Sequence, residues 1–374
     1  MPRNAVRPVD VVRRLLRAVV RAPQDVVAWP VEQLDLALRL ARRVRLLGRL
    51  AAHLERVGML ARLPTPARDQ LESALVVVAA RSRLARWELD RLAFALRGAA
   101  VGRVVALKGS AYLLAGLPNA AGRVFADVDL LFAERELAGA ERALVAQGWR
   151  GTKLSPYDQH YYRAWTHELP PLVHAEREVE ADLHHNILPR TSRLKPDGAA
   201  LFASAVPIEG APFARLDDRD LVLHAMTHLM FDSELADALR DLVDIDDLLR
   251  HFAAADERFW ERLWARAGEL DLERPAFYAL RYARRFLSTP VPSTVEERSN
   301  DGAPPRLVVW LMDVLVPLAL FPVHPDVPSR AAAAARFLLY VRSVWIRMPP
   351  LLLARHLAYK FYLRRLRRSP PAEG

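Results

Sequence analysis

Apolar positions change period twice along the chain. From residue 8 to 97 they recur at helical spacing. After Trp29-Pro30, the residues Leu34, Ala37, Leu38 and Ala41, then Leu46, Leu47 and Leu50, form the stripe of a long amphipathic run. Leu63-Pro64-Thr65-Pro66 breaks the run, and a second long helix is expected from about Ala67 to Arg97, covering one face of the sheet that follows. Between 98 and 215 the pattern shortens to β-type runs at 103–107, 127–132, 168–174 and 178–184. A helix from Glu134 to Gln147, stopped by Gly148, separates them. His174-Ala175-Glu176-Arg177 reads as the turn of a hairpin between the last two runs. From Asp217 the helical period returns. Asp217-Asp218-Arg219-Asp220 supplies an N-cap and an acidic first turn, and helices are expected over about 218–231, 233–252 and, as a pair, 256–287. Proline, serine and glycine between 288 and 305 read as a linker, and a last helical module breaks at Met348-Pro349-Pro350.

Strand–helix–strand order followed by a hairpin predicts an α+β fold, a small mixed β-sheet flanked by N- and C-terminal helical regions and mostly helical overall. The expected divisions are an N-terminal helical region 1–97, an α+β core 98–215, a helical domain 216–290, a linker 291–304 and a basic helical module 305–374. No internal repeat is visible.

The polar residues that interrupt the core pattern carry the chemistry. Val104-Val105-Ala106-Leu107 runs into Lys108-Gly109-Ser110, and sixteen residues later comes Asp127-Val128-Asp129-Leu130-Leu131-Phe132. With a strand period of two, Asp127 and Asp129 face one side and Val128 and Leu130 the other. Two carboxylates in one small volume raise each other's pKa unless a cation joins them. A Gly-Ser turn can also bring backbone N–H groups to phosphate, so the parts of a metal-dependent phosphoryl-transfer site are present. A third carboxylate could come from Val179-Glu180-Ala181-Asp182-Leu183-His184, where Glu180, Asp182 and His184 share a face. Lys108 and Arg123 are either phosphate ligands or salt-bridge partners of nearby acids. His224 and His228 share a helix face, but no His-Glu-x-x-His accompanies them, so they read as cleft-lining or interface residues rather than zinc ligands. Asp241, Asp244, Asp246 and Asp247 read as a solvated or arginine-paired face.

The order hydrophobic-Gly-Ser, spacer, Asp-hydrophobic-Asp-hydrophobic resembles the signature of DNA polymerase β-type nucleotidyltransferases. The wording is closer to one branch, a bacterial group of largely uncharacterised nucleotidyltransferases. The likeness lies in Leu107-Lys108-Gly109, in Arg123 ahead of Asp127-Val128-Asp129-Leu130-Leu131, and in Asp182-Leu183-His184, and spans roughly residues 8 to 250. The sixteen-residue spacer is long for the wider superfamily but looks normal for this branch. The resemblance selects Asp182 over Glu180 and implies Mg²⁺ (or Mn²⁺) held by Asp127, Asp129 and Asp182. It implies a nucleoside triphosphate seated by Lys108, Gly109, Ser110 and Arg123, with Glu180, His184, His224 and His228 as accessory residues. The expected reaction moves a nucleoside monophosphate to a hydroxyl or phosphate of an acceptor and releases pyrophosphate. The rival expectation is a catalytically silent nucleotide- or partner-binding scaffold on the same fold.

Composition narrows the setting. Hydrophobic residues are 52% of the 374, with only 15 glycines, which fits a helix-rich globular chain of two or three domains. No cysteine is present, which excludes disulfides and thiolate chemistry and fits a reducing cytoplasm. Arginines cut every apolar run near the N-terminus below signal-peptide length, and Leu307–Phe321 contains Asp313 and falls short of a span, so neither a secretion signal nor a transmembrane helix is expected. The net charge of +10 is concentrated between Arg330 and Arg368, which hold ten Lys/Arg and no acid. Aromatics alternate with arginines there, a composition that fits internal packing, a peripheral site on an anionic inner-membrane surface, or RNA phosphates.

Overall fold

The computed structural model describes residues 7–152, 155–232, 235–355 and 359. Four helices precede the sheet: α1 (Pro8–Arg21), α2 (Val31–Arg43), α3 (Leu47–Arg56) and the 32-residue α4 (Thr65–Leu96). The strands β1 (Val105–Ala106), β2 (Val128–Leu131), β3 (Trp149–Gly151), β4 (Leu172–His174), β5 (Glu180–His184), β6 (Val206–Pro207) and β7 (Ala214–Arg215) alternate with α5 (Lys108–Leu114), α6 (Leu137–Ala146), α7 (Pro156–Trp165) and α8 (Gly198–Ala203). Then come α9 (Asp218–Thr227), α10 (Leu239–Ala255), α11 (Phe259–Glu269), α12 (Glu273–Leu287), α13 (Ser293–Asp301), α14 (Arg306–Leu320) and α15 (Arg330–Arg347). The α+β, mostly helical architecture is the one the pattern predicts.

The sheet runs β3-β4-β5-β2-β1-β7-β6. It is mixed: β2 and β5 are parallel, β1 and β7 are parallel, and the other neighbours are antiparallel. All four residues of β2 are buried, so it is the central strand in burial as in order. A single hydrophobic core runs from Val12 in α1 to Leu339 in α15, and the boundaries read from composition do not coincide with breaks in it. In α1 the arginines leave one stripe, and Val12, Leu15, Leu16, Val19 and Val20 are buried along it. Each such side chain contributes roughly 1.5–3 kcal/mol relative to exposure.

Three local expectations change. The long helix α4 packs chiefly on α3, α5 and α6 rather than on the sheet itself. Most of the stretch read as a linker, 291–304, is the helix α13, which buries Val295 and Ser299 and ties to α12 through an Arg284–Glu296 ion pair. The run expected over 168–174 is ordered as a strand only from Leu172, while Glu168 makes an isolated bridge with His184.

The aspartates of α10 are arginine-paired; Asp244 and Asp246 are buried, and Asp241 and Asp247 are half-buried. Asp244 pairs with Arg123, Asp247 with Arg49, and Asp241 with Arg240. Asp246 is fully buried and accepts from Arg21 (2.8 Å), Arg250 (2.8 Å) and Thr289 (2.7 Å). Such a group is stable only while its partners stay in place. Replacing Asp246 by Ala strands Arg21 and Arg250 at the junction of α1, α10 and α12, and should cost about 3–5 kcal/mol in urea unfolding. A loss below about 1 kcal/mol would show that water replaces these bonds at no cost.

Candidate active site

The site is built by one strand pairing. In the parallel β2–β5 ladder Asp129 stands opposite Asp182 and Leu131 opposite His184, while Val128 and Leu130 meet Ala181 and Leu183 on the other, apolar face. Parallel partners point to the same side, so two acids and an imidazole are brought together by backbone pairing alone. Asp129 is buried, and its Oδ1 accepts from Lys108 Nζ at 2.8 Å and His184 Nε2 at 3.0 Å. Burial by itself would raise the Asp129 pKa. The adjacent Lys108 ammonium and the His184 bond outweigh it and hold the carboxyl far below the usual range.

Asp182 has the opposite environment. Burial first, then the negative charges of Asp129 and Glu168, push it up to about 7. Its Oδ1 is buried and has no hydrogen-bond partner among the described residues. His184 is buried as well. Burial lowers its pKa, but the Asp129 bond and Glu168, whose Oε2 lies 3.4 Å from Nδ1, raise it above the ordinary value. Glu168 reaches this position because the chain after α7 pairs with the end of β5, through Leu169 N–H to Leu183 O and His185 N–H to His167 O, each 2.9 Å.

Two sets of ligand atoms, Asp129–Asp182–His184 and His167–Glu168–His184, each lie within 4.8 Å of one another, and His184 belongs to both. The first set fits a divalent cation well. It offers hard oxygen donors, one of them the orphaned Oδ1 of Asp182, which a cation would satisfy.

The other expected residues are distributed around this centre. Asp127 lies just before β2 and is exposed, outside both ligand sets. It lines a cleft of about 270 Å³ together with Asp129, Lys108, Gly109, Arg123 and His228. Lys108 has φ +43°, a conformation costly for a residue with a Cβ, and its ammonium holds Asp129 from there. Gly109 lets Phe125 approach, since a Cβ there would lie 3.2 Å from the ring. Ser110 is buried and outside the cleft lining. Arg123 is committed to Asp244 and lies 5.4 Å over the Tyr112 ring, forming a wall of the cleft. Glu180 is exposed at the start of β5. His224 is buried, and burial with the nearby Lys108 charge pushes its pKa well down, so it is neutral. The helix α9 widens into a π-turn over His228–Asp232, which places His228 in the cleft lining while His224 stays inside.

Against this geometry stands one comparison with known proteins. A family model described as an uncharacterised nucleotidyltransferase matches residues 30–288. The chain belongs to this nucleotidyltransferase family. No curated protein and no solved structure matches it. Membership makes nucleotidyl transfer the general activity and a nucleotide the general substrate. The whole candidate site lies inside the matched span, whereas α1 and α13–α15 lie outside it.

Sequence reading of this nucleotidyltransferase missed Glu168, His167, Tyr112, Arg45 and Arg240, the last three being cleft residues. Only Thr166-His167-Glu168-Leu169, a polar pair at the head of a β-type run, could have signalled the first two.

The raised Asp182 pKa makes a prediction about the metal-free protein. Below the ordinary value of 3.8 folded and unfolded chains both carry the proton; up to about 7 only the folded chain keeps it, so stability falls as pH rises through that window. Asp182→Asn removes the titration. Without divalent cations it should be more stable than the parent at about pH 8 by about 1–3 kcal/mol, with the gap narrowing toward about pH 5 in urea unfolding. A gap that stays constant across the window would mean that Asp182 is not the group that titrates.

Proposed function

We propose that this nucleotidyltransferase moves a nucleoside monophosphate from a nucleoside triphosphate to a hydroxyl or phosphate of an acceptor and releases pyrophosphate. The observation that carries the reading is the buried, unpartnered Oδ1 of Asp182 beside Asp129 at the cross-strand position. Asp129 and Asp182 would hold Mg²⁺ (or Mn²⁺), with Asp127 at the mouth as the third acid. When bound, the cation supplies neutralisation of phosphate charge in both the ground and transition states.

The chain's own residues divide the remaining work. Lys108 and Gly109 line the cleft where the triphosphate would sit, and the Lys108 ammonium turns from Asp129 to phosphate oxygen. Arg45 and Arg240 line the same cleft and add positive charge toward the triphosphate, with His228 beside them in the lining. Asp182, beside Asp129 at the cross-strand position, would accept the proton of an acceptor hydroxyl. The acceptor oxygen then bonds to the α-phosphorus, the bond to the bridging oxygen breaks, and pyrophosphate leaves. His184, held between Asp129 and Glu168, fixes the orientation of the Asp129 carboxylate.

A thermal-shift panel of ATP, GTP, CTP and UTP with and without Mg²⁺, run beside Asp129→Asn, tests this. At saturating ligand the preferred nucleotide should raise Tm by roughly 2–5 °C, only with Mg²⁺. Asp129→Asn should lose that shift while keeping the circular dichroism of the parent. A shift independent of Mg²⁺ and unchanged in Asp129→Asn would overturn the metal site and leave a nucleotide-binding scaffold.

A further inference from the structure

The hairpin formed by α14 and α15 has two unlike sides. One side is fastened to the body. Asp313 accepts from Arg281 at 2.6 Å, Arg336 reaches Asp237 at 2.6 Å, and Arg342 donates to the Met230 carbonyl at 2.9 Å. Met312, Val316, Leu320 and Leu339 are buried along the same side. The other side is open. On α14, Leu307 (74% exposed), Trp310 (61%), Leu311 and Val314 follow one another at helical spacing. On α15, Phe337 (64%), Val341 and Trp345 do the same. A nine-residue loop, 321–329, joins the two helices, and they pack against each other. The exposed stripes therefore lie on two helices packed together. Of the exposed large apolar residues described, twelve lie between Leu307 and Leu351 and nine in all the rest. This is a concentrated patch and not the scatter normal for a surface.

We propose that this face lies on the surface of an anionic bilayer. Its chemistry selects that occupant. Asp313 is the only acid on either helix, and it faces the body. Arg306 and Arg330 are exposed at the helix starts, Arg355 lies beyond α15, and the sequence continues with Lys360, Arg364, Arg365, Arg367 and Arg368. Tryptophan, phenylalanine and leucine on two helices whose exposed charges are all cationic match the interface between headgroups and acyl chains. A second copy of this chain fits less well, because it would oppose the arginines of α14 and α15 to their own copies, and neither helix carries an outward carboxylate. RNA also fits less well, since Arg336 and Arg342 are spent on protein groups and the exposed atoms are apolar. Among the described residues no single helix is long and apolar enough to cross a membrane; α13 and α14 together reach that length and composition only as a pair bent by 119°.

Co-sedimentation of the full chain with vesicles tests this directly. One set is phosphatidylcholine alone; the other is equal parts phosphatidylcholine and phosphatidylglycerol. The protein should pellet with the second and stay in solution with the first. The double variant W310E/F337E should bind roughly tenfold more weakly or worse, with an unchanged melting temperature. If that pair disturbs folding, W310A/W345A should show the same direction of effect. The proposal is overturned if the parent chain ignores anionic vesicles, or if pelleting is unaffected by W310E/F337E and abolished by salt alone. It is also overturned if the parent is a dimer that W310E/F337E makes monomeric, or if RNA binds through this face and anionic vesicles do not.

Discussion

Parallel pairing of β2 with β5 is the constraint on which the rest of the site depends. Its register sets a buried Asp129 against a half-buried Asp182 whose Oδ1 is turned away from water. The structure splits the two by environment. Lys108 and His184 keep Asp129 ionised, while Asp182 keeps its proton until about neutrality. Every nearby feature serves that split. Antiparallel β1 ends at the turn that supplies Lys108, whose positive φ is the strain accepted to aim an ammonium at a buried carboxylate. The bridge between Glu168 and His184 brings the negative charge that keeps the imidazole available to Asp129.

How much of this could be read from the chain depended on whether the signal was local. The Lys108-Gly109 turn, the acids of β2 and β5, and the hairpin turn after His174 are short-range patterns, and the structure shows them close to where the periods put them. Cross-strand register is not local. That Asp182 rather than Glu180 lies beside Asp129 is set by the register of the β2–β5 ladder, a two-residue choice along one face that the resemblance supplied and the residues alone left open. Glu168 was invisible because an isolated bridge has no period to detect. Asp127 precedes the strand it was assigned to, so its carboxylate lines the cleft without joining the cluster. Proline and serine suggested a linker before α13, whereas one buried valine and an ion pair to α12 were enough to make it a helix.

The cleft is walled by charge pairs rather than by free charges. Arg123 is bound to Asp244 and Arg240 to Asp241, so two of the cations lining the cleft are already oriented by carboxylates on α10. A guanidinium held in this way loses less freedom on meeting a phosphate than one on a mobile stem. The same pairs tie the cleft to α10, whereas the Asp129–Asp182–His184 cluster is held by the sheet.

The partners of α10 reach further than the site. Asp246 draws Arg21 from ahead of residue 30 and Thr289 from beyond residue 288, the two ends of the stretch shared with the family. A chain trimmed to that stretch would keep every catalytic candidate and still carry a buried carboxylate stripped of two of its three donors. The smallest piece of this protein able to fold as a unit is therefore set by the wiring of one aspartate, and it is larger than the region that carries the family likeness.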